Sequence, residues 1–158
     1  MNKIINKLGI LILVFAAVAF IIGVVFLYEG VSKNIFLTTI MKQENITLSA
    51  LGVTGPKANE LIDNAATAQI AGDTVRAHRH AIAPSYTALL GSNRFDPTNP
   101  KDLTYAQAQN LENYLYLAVL SFGVTTMAMA TGGFMIVVAL ALGAIGFVLL
   151  KVAEILPK

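Results

Sequence analysis

Two long apolar runs separated by a mixed polar region set the pattern of this chain. Residues 8–28 hold no charged side chain, and Leu115 to Leu150 are thirty-six residues without one. A helix needs roughly 20 apolar residues to cross a hydrocarbon core about 30 Å thick. The first run therefore fits a single crossing. The second, about 54 Å long as one helix, is too long for one crossing and barely long enough for two. Counting about twenty residues back from Lys151 puts the outer membrane surface near Thr131-Gly132. The apolar residues before that point (Leu115, Leu117, Val119, Leu120, Phe122, Met127 and Met129) then need protein partners outside the lipid. The alternative is a hairpin at Gly132-Gly133 with three spans in all, although a turn at the membrane surface normally carries charged or strongly polar residues.

The flanks of the first run predict its fate. Lys3 and Lys7 precede it, which places the amino-terminal side in the cytoplasm by the positive-inside bias. Ala17-Val18-Ala19 resembles a signal-peptide cleavage site, yet the apolar run continues through Phe20 to Leu27, so a signal anchor is the expected reading. Beyond Tyr28, helical spacing of Val31, Ile35, Phe36 and Ile40 predicts that the first helix projects to about Gln43. Asn45 to Leu51 alternates and predicts a short extended segment without a strand partner. Gly55-Pro56 reads as a helix start, with a helix over 56–71. Gly72 reads as its stop and Asp73 as the cap of a second helix over 74–83. Tyr86 to Leu90 predicts one more turn, and Gly91 to Pro100 a loop. Thr104 and Gln107 fit a capping box at the head of the last helix.

The expectation is thus an all-α membrane protein. Two long antiparallel helices span the bilayer and project outside it, with short helices packed on the extracytoplasmic half. The segments are 1–7 cytoplasmic, 8–28 spanning, 29–130 extracytoplasmic, 131–150 spanning and 151–158 cytoplasmic.

Composition agrees and excludes several functions. Of 158 residues, 56% are hydrophobic and only 13% charged, against about 25% charged in ordinary soluble domains. The net charge of +2 comes without a basic cluster, so nucleic acid is not an expected partner. With no cysteine, disulfides, iron–sulfur clusters and thiolate zinc sites are excluded. The spans hold no acid, base or histidine, so the usual marks of a proton relay or ion path are missing.

Candidate chemistry is sparse. His78-Arg79-His80 is the one histidine cluster. Side chains two apart on a helix point in different directions, so both rings reach one metal poorly, though Asp73 or Glu60 could join them in a mixed site. Glu60 with Asp63, and Asp73 with Arg76, read as solvated helix charges. Gly52 to Lys57 superficially resembles a phosphate loop but lacks the Walker spacing, and Ser85 has no evident base. Asn45-Ile46-Thr47 is a glycosylation sequon. In the spans, Ala19 with Gly23 and Ala139 with Gly143 give the small-xxx-small spacing of helix packing, either between the two spans of one chain or between subunits. No cofactor is expected.

Several short motifs carry a family resemblance: the basic start and first span, Glu44-Asn45-Ile46-Thr47-Leu48, Gly55-Pro56, an alanine-rich helix leading to His78, Thr104-Tyr105-Ala106, and Ser121-Phe122-Gly123-Val124. In this order the chain resembles uncharacterised bacterial two-span membrane proteins common in actinobacteria. The resemblance implies a bacterial cell-membrane protein. Such proteins are sometimes labelled aromatic ring-opening dioxygenases, an activity that needs non-haem iron on two histidines and a carboxylate. His78 and His80 are poorly spaced for that, so the activity does not carry over. The expected function is structural: a non-catalytic subunit that assembles with copies of itself or in a membrane complex. The alternative is an extracytoplasmic module binding a small ligand or metal near His78, His80 and Asp73.

Overall fold

The first apolar run does not end at membrane length: helix α1 continues from Asn2 to Glu44. The computed structural model describes residues 2–155. Met1 and residues 156–158 lie outside them, including Lys158, which with Lys151 marks the expected cytoplasmic end. A 3-10 turn follows over Leu48–Leu51, then α2 (Ala65–Ile82), α3 (Tyr86–Leu90) and α4 (Pro100–Ile155). The described residues are helical with no strand, and α1 and α4 are each long and apolar enough to cross a membrane. Helix α4 passes through Gly132-Gly133 unbroken over its 56 residues, so the hairpin alternative is not formed there. The chain divides into two compact units, Met1–Lys33 with Val124–Lys158, and Asn34–Gly123.

In the first unit the usual order of side chains is inverted. Ala16, Ala19, Ala139 and Ala153 are buried, whereas Phe15, Phe20, Phe134 and Phe147 stand 48–66% exposed. Water drives large apolar groups inward. A surface of phenylalanine, isoleucine and valine over an interior of glycine and alanine suits a lipid solvent, where close helix approach replaces hydrophobic drive. The approach is backbone to backbone. A Cβ on Gly132 would sit 2.7 Å from the Gly23 carbonyl oxygen and 2.7 Å from the Leu27 amide. One on Gly9 would sit 3.2 Å from the Gly146 carbonyl oxygen, and one on Gly30 would sit 3.0 Å from that of Thr125.

The buried small residues recur every seven positions: Gly9, Ala16, Gly23 and Gly30 on α1, and Thr125, Gly132, Ala139, Gly146 and Ala153 on α4. A seven-residue repeat is 3.5 per turn, the period that keeps one seam facing a partner through a left-handed supercoil. Ala19, Gly23 and Ala139 are buried. Gly143 is not: a Cβ there would meet nothing within 4 Å.

The second unit departs from its expected elements in three places, each for a local reason. Residues 46–49 and 58–62 pair with each other through an isolated antiparallel bridge, Thr47 to Leu61. The bonds Leu48 N to Glu60 O (3.0 Å), Ser49 N to Ala58 O (2.7 Å) and Ile62 N to Ile46 O (2.9 Å) tie them. The extended segment thus has a partner after all. Backbone committed to that pairing is not free to start a helix at Pro56, so the chain turns there instead.

Helix α2 begins at Ala65, where the Asn64 side chain accepts from the amides of Ala66 and Thr67 and the Thr67 hydroxyl accepts from the Asn64 amide. It then runs through Gly72 and Asp73 without a stop or a second cap. Gly72 is a place of close approach, since an added Cβ would lie 3.0 Å from the Tyr116 ring. Helix α4 begins at Pro100, with Asn99 Oδ1 accepting from the Lys101 amide at 3.0 Å, rather than at Thr104. The Thr104 hydroxyl donates back to the Pro100 carbonyl at 2.7 Å, inside the helix.

The core of this unit gathers Leu48, Ile62, Ala68, Ala71, Val75 and Leu115. Leu48 from the 3-10 turn is fully buried, and the small face of α2 lets that helix lie close to α4. Leu115 and Phe122 are buried as the pattern predicts, and Val119 and Met129 half-buried. Leu117 and Leu120 are 54% and 63% exposed, so this unit's own helices do not cover them, and in the first unit Met127 is 71% exposed.

Candidate functional site

The densest polar cluster of the second unit lies where α2 meets α4. Arg79, on the last turn of α2, donates from Nε to Glu112 Oε2 at 2.7 Å and from a terminal nitrogen to Oε1 at 3.4 Å. Its guanidinium also lies over the Tyr105 ring, 5.0 Å from the centroid, and donates to the Tyr105 hydroxyl. Tyr105 is buried and stacks obliquely on Tyr86, ring centres 6.3 Å apart. Arg76 approaches the same carboxylate at 4.0 Å. The side chains of Arg79 and Glu112 are only 12% and 10% exposed. The hydrogen bond to Glu112 raises the Arg79 pKa above its ordinary value against the opposing effect of burial. Both oxygens of Glu112 are thus occupied by arginine. The arrangement is a clasp between helices.

One turn earlier, Asp73 accepts from the Tyr116 hydroxyl at 2.7 Å and from the Gln69 amide at 3.0 and 3.1 Å. Those bonds, Tyr116 first, pull the Asp73 carboxyl below its ordinary value of 3.8. Burial, and then the bond to Asp73, push the Tyr116 phenol above its ordinary 10.0. The signs define a pH window. Asp73 favours its charged form in the fold, so its contribution is present above about pH 3.8 and fades as pH falls through the lower folded value. Tyr116 favours its protonated form, so its contribution is full below about pH 10 and fades as pH rises through the folded value. Tyr116→Phe is expected to flatten both limbs of a melting-temperature profile against pH; unchanged limbs would show that the pair adds nothing to stability.

The structure does not bring His78, His80 and Asp73 together. His78 rests against Gly52, where an added Cβ would lie 3.2 Å from the ring, and the His80 Nε2 meets Arg79 at 3.1 Å. Among the described residues no three His, Cys, Asp or Glu side chains converge to hold a metal. The remaining candidates have local roles. Asp63 pairs with Lys42 at 3.4 Å, and Ser85 caps α3 through the Ala88 amide at 3.1 Å.

Sequence reasoning missed the clasp, although a signal was present: Glu112 is the only charge between Leu103 and Leu150. A lone acid in so apolar a stretch calls for a cation, and Arg79, between His78 and His80, supplies it. In comparisons with known proteins, the chain matches no family model, no curated protein and no solved structure, so the motif resemblance stands on those motifs alone.

Proposed function

We propose that this is a non-catalytic integral membrane protein that assembles with copies of itself, or within a larger membrane complex, through helices projecting from the lipid. The close approaches in the first unit support an antiparallel pair of spans. Gly9 faces Gly146, Gly23 faces Gly132, and Gly30 faces Thr125, so the partner moves down α4 as one moves up α1. Gly9 to Gly30 covers about 32 Å at 1.5 Å per residue, one hydrocarbon thickness.

Lys3, Lys7 and Lys151 lie at one end of that pair, and Glu29 and Lys33 at the other. This distribution favours both termini in the cytoplasm of a bacterial cell, with residues 34–123 outside. In this register the α4 crossing opposite residues 8–28 falls near 127–147, a few residues earlier than 131–150.

The observation that carries assembly is a bare apolar face of α4 within the second unit. Tyr114, Leu117 and Leu120 are 70%, 54% and 63% exposed. In the same unit Ile35 and Phe36 of α1 are also exposed. Burying a fully exposed Leu, Ile or Phe side chain is worth about 1.5–3 kcal/mol, of which each of these stands to gain a part, and clustered apolar exposure marks interaction surfaces. Electron microscopy and native mass spectrometry of membranes holding only this protein test the reading. Oligomers or arrays are expected from the wild type, with dissociation by Leu117→Lys combined with Leu120→Lys. A wild type that stays monomeric at high membrane density would remove it.

A further inference from the structure

An open groove of about 530 Å³ lies beside the clasp, lined by Tyr86, Phe95, Ala106, Gln109, Asn110 and Asn113. The last four recur at 0, 3, 4 and 7 residues along α4, so they share one helix face. Ala106 leaves the floor low, and three side-chain amides stand along it. The aromatic walls come from elsewhere. Tyr86 is 45% exposed and is held from behind by its ring contact with buried Tyr105. Phe95 belongs to a loop that is pinned: the Asp96 amide donates to Asp102 at 3.0 Å, and Asp96 Oδ1 accepts from the Thr98 amide and hydroxyl at 2.8 and 2.7 Å. Asp102 is itself buried. The backbone beside Phe95 is thus tied to the head of α4.

The lining selects a ligand class. None of the six side chains is charged, so the lining offers an anion or cation no counter-charge. A purely apolar ligand would strip the three amides of water and return no hydrogen bond. A pyranose meets both demands, because its C–H face lies on an aromatic ring while its hydroxyls each donate and accept. Asn and Gln amides offer the matching donor and acceptor side by side. We infer that this groove binds a neutral saccharide, with Tyr86 and Phe95 as stacking faces and Gln109, Asn110 and Asn113 as hydroxyl partners. This inference does not rest on the assembly reading, and its test reads sugar binding rather than oligomeric state.

The test uses the full chain in phospholipid nanodiscs, free of sugar-headed detergents that would compete. Saturation-transfer difference spectra are recorded with cellobiose, maltose and di-N-acetylchitobiose. At least one is expected to receive saturation on its ring protons. Asn110→Leu and Tyr86→Ala are each expected to weaken binding about tenfold, a change of about 1.4 kcal/mol, while Asn93→Ala outside the groove leaves it unchanged. Asn110 is exposed, so its replacement keeps the test open should Tyr86→Ala disturb the fold, which circular dichroism reports. No transfer to any of the three sugars, transfer that survives Asn110→Leu, or binding of adenosine in place of the sugars would overturn the inference.

Discussion

Gly132→Ala is expected to destabilise the helix pair of the first unit by about 1–3 kcal/mol, whereas Gly133→Ala, one residue on, is expected to be neutral or slightly stabilising. Both changes remove a glycine from a helix interior and so gain up to about 1 kcal/mol of helix propensity. They differ in what the new methyl meets. At Gly132 it lies 2.7 Å from a carbonyl oxygen and 2.7 Å from an amide nitrogen of α1, two backbone atoms with no rotamer to change. At Gly133 nothing lies within 4 Å. Relief at Gly132 therefore requires the two helices to separate, which loosens the packing along the seam. Gly132→Leu is expected to cost more than the alanine, and Gly143→Leu to be tolerated because that position too is open. Reversible unfolding in mixed micelles, followed by circular dichroism against increasing sodium dodecyl sulfate, measures the difference. Equal behaviour of the 132 and 133 variants would show that no tight backbone seam exists in the membrane-like state.

That seam also shows how far sequence reasoning reached. The two apolar helices could be read directly, because charge-free runs of such length have few other uses. Small-xxx-small spacing picks out Ala19 with Gly23 and Ala139 with Gly143. The buried set instead repeats every seven residues, the period a supercoiled pair imposes over several turns, so Gly146 lies in the seam and Gly143 does not. Local signals failed where long-range contacts outweighed them. Gly72 resembles a helix stop until Tyr116, forty-four residues on, is known to lie against it. Pro56 resembles a helix start until residues 58–62 are seen to bond with 46–49. Thr104 resembles a cap, but Asn99-Pro100 five residues earlier offers both a side-chain acceptor and a residue with no amide to satisfy. In each case the misleading residue was real chemistry with another use.

Glu112→Ala is expected to cost about 3–5 kcal/mol of the second unit's stability, the range for removing one partner of a buried ion pair. The loss is not simply the energy of two hydrogen bonds. With the carboxylate gone, Arg79 keeps the Tyr105 ring and hydroxyl, but its charge stays nearly buried, at 12% exposure, without a counter-ion. Glu112→Gln keeps the volume and one acceptor and is expected to lose about 1.5–3 kcal/mol, the worth of a hydrogen bond to a charged group. Arg79→Lys is not conservative here, because a single ammonium cannot reach both carboxylate oxygens and lie flat on Tyr105. The informative variant is the double one, Arg79→Met with Glu112→Leu. Two charges withdrawn from water recover little more than their desolvation, so an apolar pair of similar volume is expected to regain most or all of the wild-type stability. Thermal unfolding of the four proteins decides between two roles for the clasp. A stable double variant with weakened self-association would mean that the ion pair fixes the register of α2 on α4 and so shapes the exposed face proposed for assembly. A double variant as unstable as Glu112→Ala would mean that the pair itself is a net source of stability, the less common outcome for charges so deeply placed.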